Sequence, residues 1–454
     1  MRAGPEYAWY GNRRGTAVLQ PSDRHLQWLG ASARPSVLAV TSEVPWPLDS
    51  GGHLRTYHLL RALARRMEVR LVVPTLPDRV NASRAALEGA GLEPSIVALP
   101  PRTFAGESVT ALRAALDREP YVLFARHRRP LVLQTLQQEI LGRAPGALYL
   151  DHLDSLVYAA AIPGIPLVVD MHNVYSRLAF RMAGESAGAL RRRYLERESV
   201  LLQKMEHRAV RLAHTVLAVS DDESRYFQEL GAKRVVVVPN GVDCDAFGAL
   251  PVGRCLGPPT LLYVGSLAWP PNASAARFLA TDVLPAVRQH LPDARLVIVG
   301  RNPGPDVLAL VRPGAQVEVA ANVQDVTPYY RDAHVLAVPL QSGGGTRLKI
   351  LEAFAAGVPV VSTPVGCEGI DAISGRHLEI ADRGDFAAAI VRLLKTPAQA
   401  HAMAERARTL ARRQYDWSVV GALACAAVAI AATPIPVGPA GWPDRAIDRQ
   451  VPVS

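Results

Sequence analysis

The feature that most constrains this chain is a rhythm. Short, unbroken apolar runs alternate with longer helix-like stretches, and the pattern plays through twice. In the first half the runs are Val37–Val40, Val69–Val73, Ile96–Leu99, Ala147–Leu150, Leu167–Asp170, Val216–Val219 and Val235–Val238. Several are continuous β-branched runs without polar alternation, which suits strands buried on both faces of a parallel sheet. Stretches such as His53–Arg66 and the charged Leu190–Leu212 read as the connecting helices. Gly248–Pro259 (GALPVGRCLGPP) has neither period and reads as a linker. The alternation restarts with Leu261–Val264, Leu296–Val299, Val317–Ala320, Val335–Val338 and Val358–Val361. Strand alternating with helix predicts α/β, doubly wound domains. A chain of 454 residues is long enough for two of them. Two Rossmann-like sheets joined this way leave a cleft between their carboxyl edges. The expected layout is a loose extension over 1–34, a first domain over 35–247, a linker over 248–259 and a second domain over 260–415. A further helix over 416–432 and a disordered tail over 433–454, with Pro434, Pro436, Pro439 and Pro443, complete it.

Composition excludes several classes. With 49% apolar and 20% charged residues, the chain has the make-up of a globular protein rather than a disordered one. Cys244, Cys255, Cys367 and Cys425 show no CxxC spacing, which argues against a disulfide scaffold or a zinc site and favours a reducing cytosol. Met1–Pro35 has no apolar run of signal type. Val419–Ala432, at 14 residues, falls short of the ~18–20 needed to span a bilayer. The net charge is +9 and lies mainly in the N-terminal half, where residues 1–240 carry 31 basic and 23 acidic side chains. An anionic lipid surface or a phosphorylated acceptor is therefore expected to meet that half first. The expectation is a cytoplasmic protein, with peripheral contact at the inner face of the membrane as a further possibility to test. Arg126–Arg129 (RHRR) and Arg191–Arg193 could bind such a surface, although short charge runs are usually solvated faces. Without aromatic interleaving, no nucleic-acid partner is expected.

The segment richest in chemistry is Val335–Thr363, VLAVPLQSGGGTRLKILEAFAAGVPVVST. A buried strand runs into Gly343, Gly344 and Gly345, then Thr346 and Arg347, then a helical turn with Lys349 and Glu352. Glycines let a backbone approach a ligand and aim N–H groups at it. The following helix N-terminus favours phosphate, Arg347 and Lys349 add full charges, and Glu352 can accept two hydroxyl hydrogen bonds, as from a ribose. Together they ask for a nucleotide diphosphate bearing a sugar; the plainer alternative is a flexible loop with a surface Lys–Glu pair.

Here the chain resembles the retaining glycosyltransferases of the GT-B group called family 4. Val216–Phe247, Leu261–Pro285, Leu296–Arg301, Val317–Asp325 and the glycine-rich segment follow in that family's order over roughly residues 36–432. The resemblance implies a GT-B fold, with acceptor bound by the N-terminal domain, a nucleotide-sugar donor by the C-terminal domain, and the last helix crossing back to the N-terminal domain. It implies transfer with retained configuration to a glycan, lipid-linked or small-molecule acceptor, without a cofactor. The donor set it implies is Gly51, Gly52, Ser266, Val323, Gly343, Gly344, Gly345, Thr346, Arg347, Lys349, Leu351 and Glu352. His172, Arg347 and Lys349 take the catalytic places, and Asp151 and His152 the acceptor side.

Three departures stand out. Gly344 occupies the place of the first of two family glutamates, while Ser266 and Asn272 stand where basic residues are common. Arg347 and Lys349 are inferred to replace that phosphate clamp, as in a branch with a GGGTR-type loop. A nucleotide-sugar epimerase on the same fold and a non-catalytic nucleotide-sugar binding protein remain alternatives. Asp243-Cys244-Asp245 is formally a D-x-D, but its place in a turn favours local backbone bonding, and no metal is expected. The absence of G-x-G-x-x-G after the first strand counts against a dehydrogenase. Sugar, nucleobase and acceptor are not legible in the sequence.

Overall fold

The computed structural model describes residues 10–11, 17–18, 34–186, 188–248, 257–342 and 347–432. The buried runs of the first half become strands β1 (Ser36–Val40), β2 (Glu68–Thr75), β3 (Glu93–Ala98), β4 (Ala147–Asp151), β5 (Leu167–Met171), β6 (Thr215–Ala218) and β7 (Val235–Val237). All are parallel, in the order β3-β2-β1-β4-β5-β6-β7. The C-terminal sheet comprises β8 (Thr260–Val264), β9 (Arg295–Gly300), β10 (Val317–Ala321), β11 (Val335–Val338), β12 (Val360–Ser362) and β13 (Glu379–Ile380). Its order is β10-β9-β8-β11-β12-β13, again parallel. Both sheets therefore reverse their winding between the first and fourth strands, and each leaves a crevice there at its carboxyl edge.

Differences from the sequence reading have local causes. β3 is an edge strand and begins at Glu93, where its register with Arg70 starts, and an edge tolerates Pro94. β12 begins only at Val360, because Gly357 (φ 73°) caps the Leu348–Ala356 helix and Val358–Pro359 complete the turn. The short edge strand β13 has no sequence counterpart. In the expected loose extension, Tyr10–Gly11 and Ala17–Val18 form an antiparallel pair. Gly248, assigned to the linker, instead ends the Cys244–Gly248 helix. Asp243 Oδ1 accepts from the amides of Asp245 (3.1 Å) and Ala246 (2.9 Å), so the D-x-D carboxylate caps that turn. The remaining extension, linker positions 249–256 and the tail from 433 lie outside the described residues.

Both faces of the N-terminal sheet are buried, and β1 shows how. Leu38 and Val40 face one cluster, with Phe124, Leu136 and Leu202; Val37 and Ala39 face the other, with Leu59, Leu71 and Tyr149. The second cluster also contains Val420, Ala424, Ala427 and Val428 of the Trp417–Ala432 helix. That helix lies against the Gly51–Ala64 helix so closely that a Cβ on Gly421 would sit 2.5 Å from Ala62 Cβ. The chain reaches it through a crossing in which the Val242 amide donates to the Tyr415 carbonyl (2.8 Å) and the Trp417 amide to the Val242 carbonyl (3.2 Å). The outgoing and returning chains thus run side by side, and Trp417 stacks on His58 at 4.6 Å. Among the described residues no helix is long and apolar enough to cross a membrane.

Candidate active site

On the N-terminal side, the carboxyl ends of β4 and β5 hold a buried ionic network. Asp170 accepts from Arg55 (Nη2 2.6 Å, Nε 3.0 Å) and from the Tyr149 hydroxyl (2.8 Å). Arg55 also donates to the carbonyls of Val238 (2.8 Å) and Pro239 (3.1 Å). Asp151 accepts from Thr56 (3.0 Å), and His172 Nε2 lies 3.1 Å from Asp151 and 3.3 Å from Asp170. Burial disfavours a charged His172 ring, but Asp170 and Asp151 outweigh it and hold its pKa up at about 9. Burial likewise opposes the Asp170 carboxylate, yet Arg55 and His172 keep it well below the usual range. His172 is thus an imidazolium, and it provides positive charge between the two carboxylates. Asp151, Asp170 and His172 bring ligand atoms within 4.8 Å of one another, but Arg55, Thr56 and Tyr149 already engage the carboxylate oxygens.

His152 follows β4 with φ +70°, a conformation that costs a non-glycine residue about 1–3 kcal/mol. Its ring packs on His172, centroids 3.8 Å apart, and its Nδ1 meets the Tyr175 hydroxyl at 2.6 Å. Burial, reinforced by the His172 charge, drives its pKa well down, so this ring is neutral. Gly51 and Gly52 open the Gly51–Ala64 helix, capped by Ser50, whose hydroxyl accepts from the His53 amide at 3.2 Å. The first amides of a helix have no carbonyl to bond within it. Gly52 lies over the His152 ring and Gly51 against Leu348 of the other domain.

On the C-terminal side, Arg347 precedes the Leu348–Ala356 helix, which has no side-chain cap. Lys349 Nζ donates to Asn272 Oδ1 (3.3 Å) and stands 4.3 Å from the Tyr263 ring centroid. Asn272 also accepts from the Tyr263 hydroxyl (2.8 Å) and donates to the Ser266 carbonyl (2.9 Å). The amine crowds Gly265, where a Cβ would fall 2.8 Å from Nζ. A Cβ on Gly300 would strike the Gly265 carbonyl, so glycine here lets the ends of β8 and β9 close up. Burial, with Arg347 nearby, lowers the Lys349 pKa to about 7. Glu352 accepts from the Tyr330 hydroxyl at 2.7 Å; burial raises its pKa against that hydrogen bond.

The two sides meet. Arg181 makes a bidentate pair with Glu368 across the domains (2.7 and 2.8 Å), and Asp49 pairs with Arg301. The structure thus brings Gly51, Gly52, His152 and His172 toward Ser266, Arg347 and Lys349. Val323 follows β10, partly buried against the C-terminal core. The Leu351 side chain is fully buried in that core. Asp151 is buried, with its carboxylate hydrogen-bonded to Thr56 and facing His172. Gly343, Gly344, Gly345 and Thr346 lie outside the described residues. Sequence reasoning missed Arg55, Thr56, Tyr149 and Asp170; the usable signal was the charge of Asp170 inside the buried run LVVD.

Two Rossmann-like sheets facing across such a cleft define the GT-B fold. Residues 50–246 match the family model Glycosyltransferase Family 4, and residues 258–396 match Glycosyl transferases group 1. The phosphatidyl-myo-inositol mannosyltransferase of Mycobacterium tuberculosis is 32% identical over 217 residues, 45% of this chain and 56% of that protein. The glycogen synthase of the same organism is 29% identical over 279 residues, 59% of this chain and 64% of that one. The matched stretches thus span little more than half of these curated relatives. Anabaena Alr3699/HepE, solved with UDP and glucose, superposes with a TM-score of 0.59 at 16% identity, covering 86% of this chain and 97% of that one.

Proposed function

We propose that this protein is a retaining glycosyltransferase that moves a sugar from a nucleotide diphosphate sugar to a glycan, lipid-linked or small-molecule acceptor. The observation that carries this reading is the opposition of two cationic sites at the two switch points. Arg347 and Lys349 stand on one side, and the His172 imidazolium on the other. The cations beside the Leu348–Ala356 helix N-terminus suit the diphosphate, whose charge grows as the glycosidic bond breaks. Glu352, at the end of the Tyr330 hydrogen bond, is the ribose anchor. His172 turns its Nε2 to Asp151 and Asp170, and the Nδ1–H of the imidazolium is the donor offered to a sugar hydroxyl. In this reading the departing phosphate takes the acceptor proton on the same face, so the configuration is retained without a carboxylate nucleophile.

UDP- and GDP-hexoses are the first donors to try, given the UDP and glucose bound by the Anabaena neighbour and the 29% identity over 209 residues to a GDP-mannose-dependent mannosyltransferase of Mycolicibacterium smegmatis. A donor panel should reveal one that raises the melting temperature, and NMR of the transfer product should show the donor's anomeric configuration. Arg347→Ala and Lys349→Ala should each cost about 1.5–3 kcal/mol of nucleoside diphosphate binding and leave the bare nucleoside nearly unchanged. Equal loss for both ligands would remove the diphosphate assignment.

A further inference from the structure

A separate depression opens over the carboxyl ends of β1, β2 and β3. Ser42, Thr75, Arg102, His127, Arg129 and Tyr158 supply its polar lining. The loop carrying the arginines is pinned, since the Tyr158 hydroxyl donates to the His127 carbonyl (2.7 Å) and accepts from the Arg129 amide (3.3 Å). Within RHRR the arginines divide their work. Arg128 turns onto Glu119 at 2.9 Å, while Arg126 and Arg102 both reach Glu107, each at 3.5 Å. Arg129 has no carboxylate partner among the described residues. His127 adds no charge: burial, with Arg102 and Arg126 nearby, lowers its pKa to about 4. Two guanidiniums, Arg102 and Arg129, therefore line one concave wall with Arg126 behind them, and while Arg102 and Arg126 share Glu107, Arg129 is left to meet an incoming anion. The depression adjoins the reacting centre. His127 Nδ1 lies 3.8 Å from Asp154 Oδ2, the Ser42 hydroxyl bonds the same carboxylate, and Asp154 stands in the turn that follows Asp151 and His152.

We propose that this depression receives a phosphate group carried by the acceptor, with Arg129 as its principal contact and Arg102 and the Ser42 and Thr75 hydroxyls beside it. The proposal rests on the glycosyltransferase reading and names its acceptor class. Neutral sugar hydroxyls alone would give no reason for clustered guanidiniums. The phosphate could belong to a soluble phosphorylated acceptor or to a lipid headgroup, and the test separates them.

The full chain would be titrated with inorganic phosphate and with glycerol 1-phosphate, and sedimented with phosphatidylcholine vesicles with and without phosphatidylglycerol. Lys349→Ala weakens the donor-side phosphate site, so in that background the part of the phosphate binding that depends on Arg129 reports the second site. In that background Arg129→Gln should weaken the remaining binding about tenfold or more, and Arg129→Lys should weaken it less. An Arg129 effect on the soluble phosphates assigns a soluble acceptor; an effect confined to anionic vesicles assigns a lipid headgroup. Either supports the site. Absence of an Arg129 effect in both arms overturns it, as does loss of nucleoside diphosphate binding in Arg129→Gln alone, which would trace the effect to the donor cleft. The glycosyltransferase reading fails separately, if the wild-type protein binds no nucleotide sugar.

Discussion

Two buried groups give this protein opposed responses to pH. His172 has its pKa raised to about 9 by its two aspartates, so its stabilising contribution is complete below its unfolded value near 6.5 and is lost as pH rises toward 9. Lys349, lowered to about 7 by burial, binds fewer protons when folded than unfolded between pH 7 and about 10, so its term grows with pH there. The wild-type slope is a difference, and the variants should separate it. His172→Gln should leave a stability that rises from pH 7 to 9, and Lys349→Met one that falls, by up to about 3 kcal/mol, both read by urea unfolding. For ligand binding, a diphosphate beside Lys349 should draw a proton onto it. Nucleoside diphosphate affinity should fall from pH 7 to 9, and Lys349→Arg should flatten that slope in calorimetry. At His152 the strained backbone predicts that His152→Gly is more stable than His152→Ala by about 1 kcal/mol. Local patterning singled out Arg347 and Lys349, and the family resemblance added His152 and His172. It could not pair Arg55 with Asp170, 115 positions away, because nothing in a single sequence records which distant charges a sheet brings together.

At the scale of elements, the strands were legible because apolar runs buried on both faces leave no polar alternation, as in Val37–Val40 and Val335–Val338. Edges were less so: β13 is two residues long, and Pro94 hides the start of β3. The Trp417–Ala432 helix announced itself by its alanines, and the resemblance sent it back to the N-terminal domain, but neither said which helix its small side chains admit. Gly421 against Ala62 answers that. Gly421→Ala should destabilise by about 1–3 kcal/mol through overpacking, and Ala62→Gly added to it should recover part of the loss, since the second change removes the clashing carbon. Thermal or urea unfolding of the two singles and the double would show the coupling.

Across the whole molecule, the cleft is pinned by half-exposed ion pairs, Arg181–Glu368 and Asp49–Arg301. Pairs of this exposure contribute about 0.2–1 kcal/mol each. Removing both, with Arg181→Ala and Asp49→Ala, should shift the open–closed balance by about thirtyfold at most, visible as a larger radius of gyration in solution scattering. The crossing at Val242 and Tyr415 has a different reach. One face of the N-terminal sheet is completed by a helix synthesised after the entire C-terminal domain. On the ribosome, then, the first domain made is the last to be finished: until Trp417–Ala432 emerges, Tyr149, Val168 and Leu217 wait with an open flank. Nascent chains halted before Trp417 should be open to protease and to chaperones over that flank, while those halted beyond Ala432 should not.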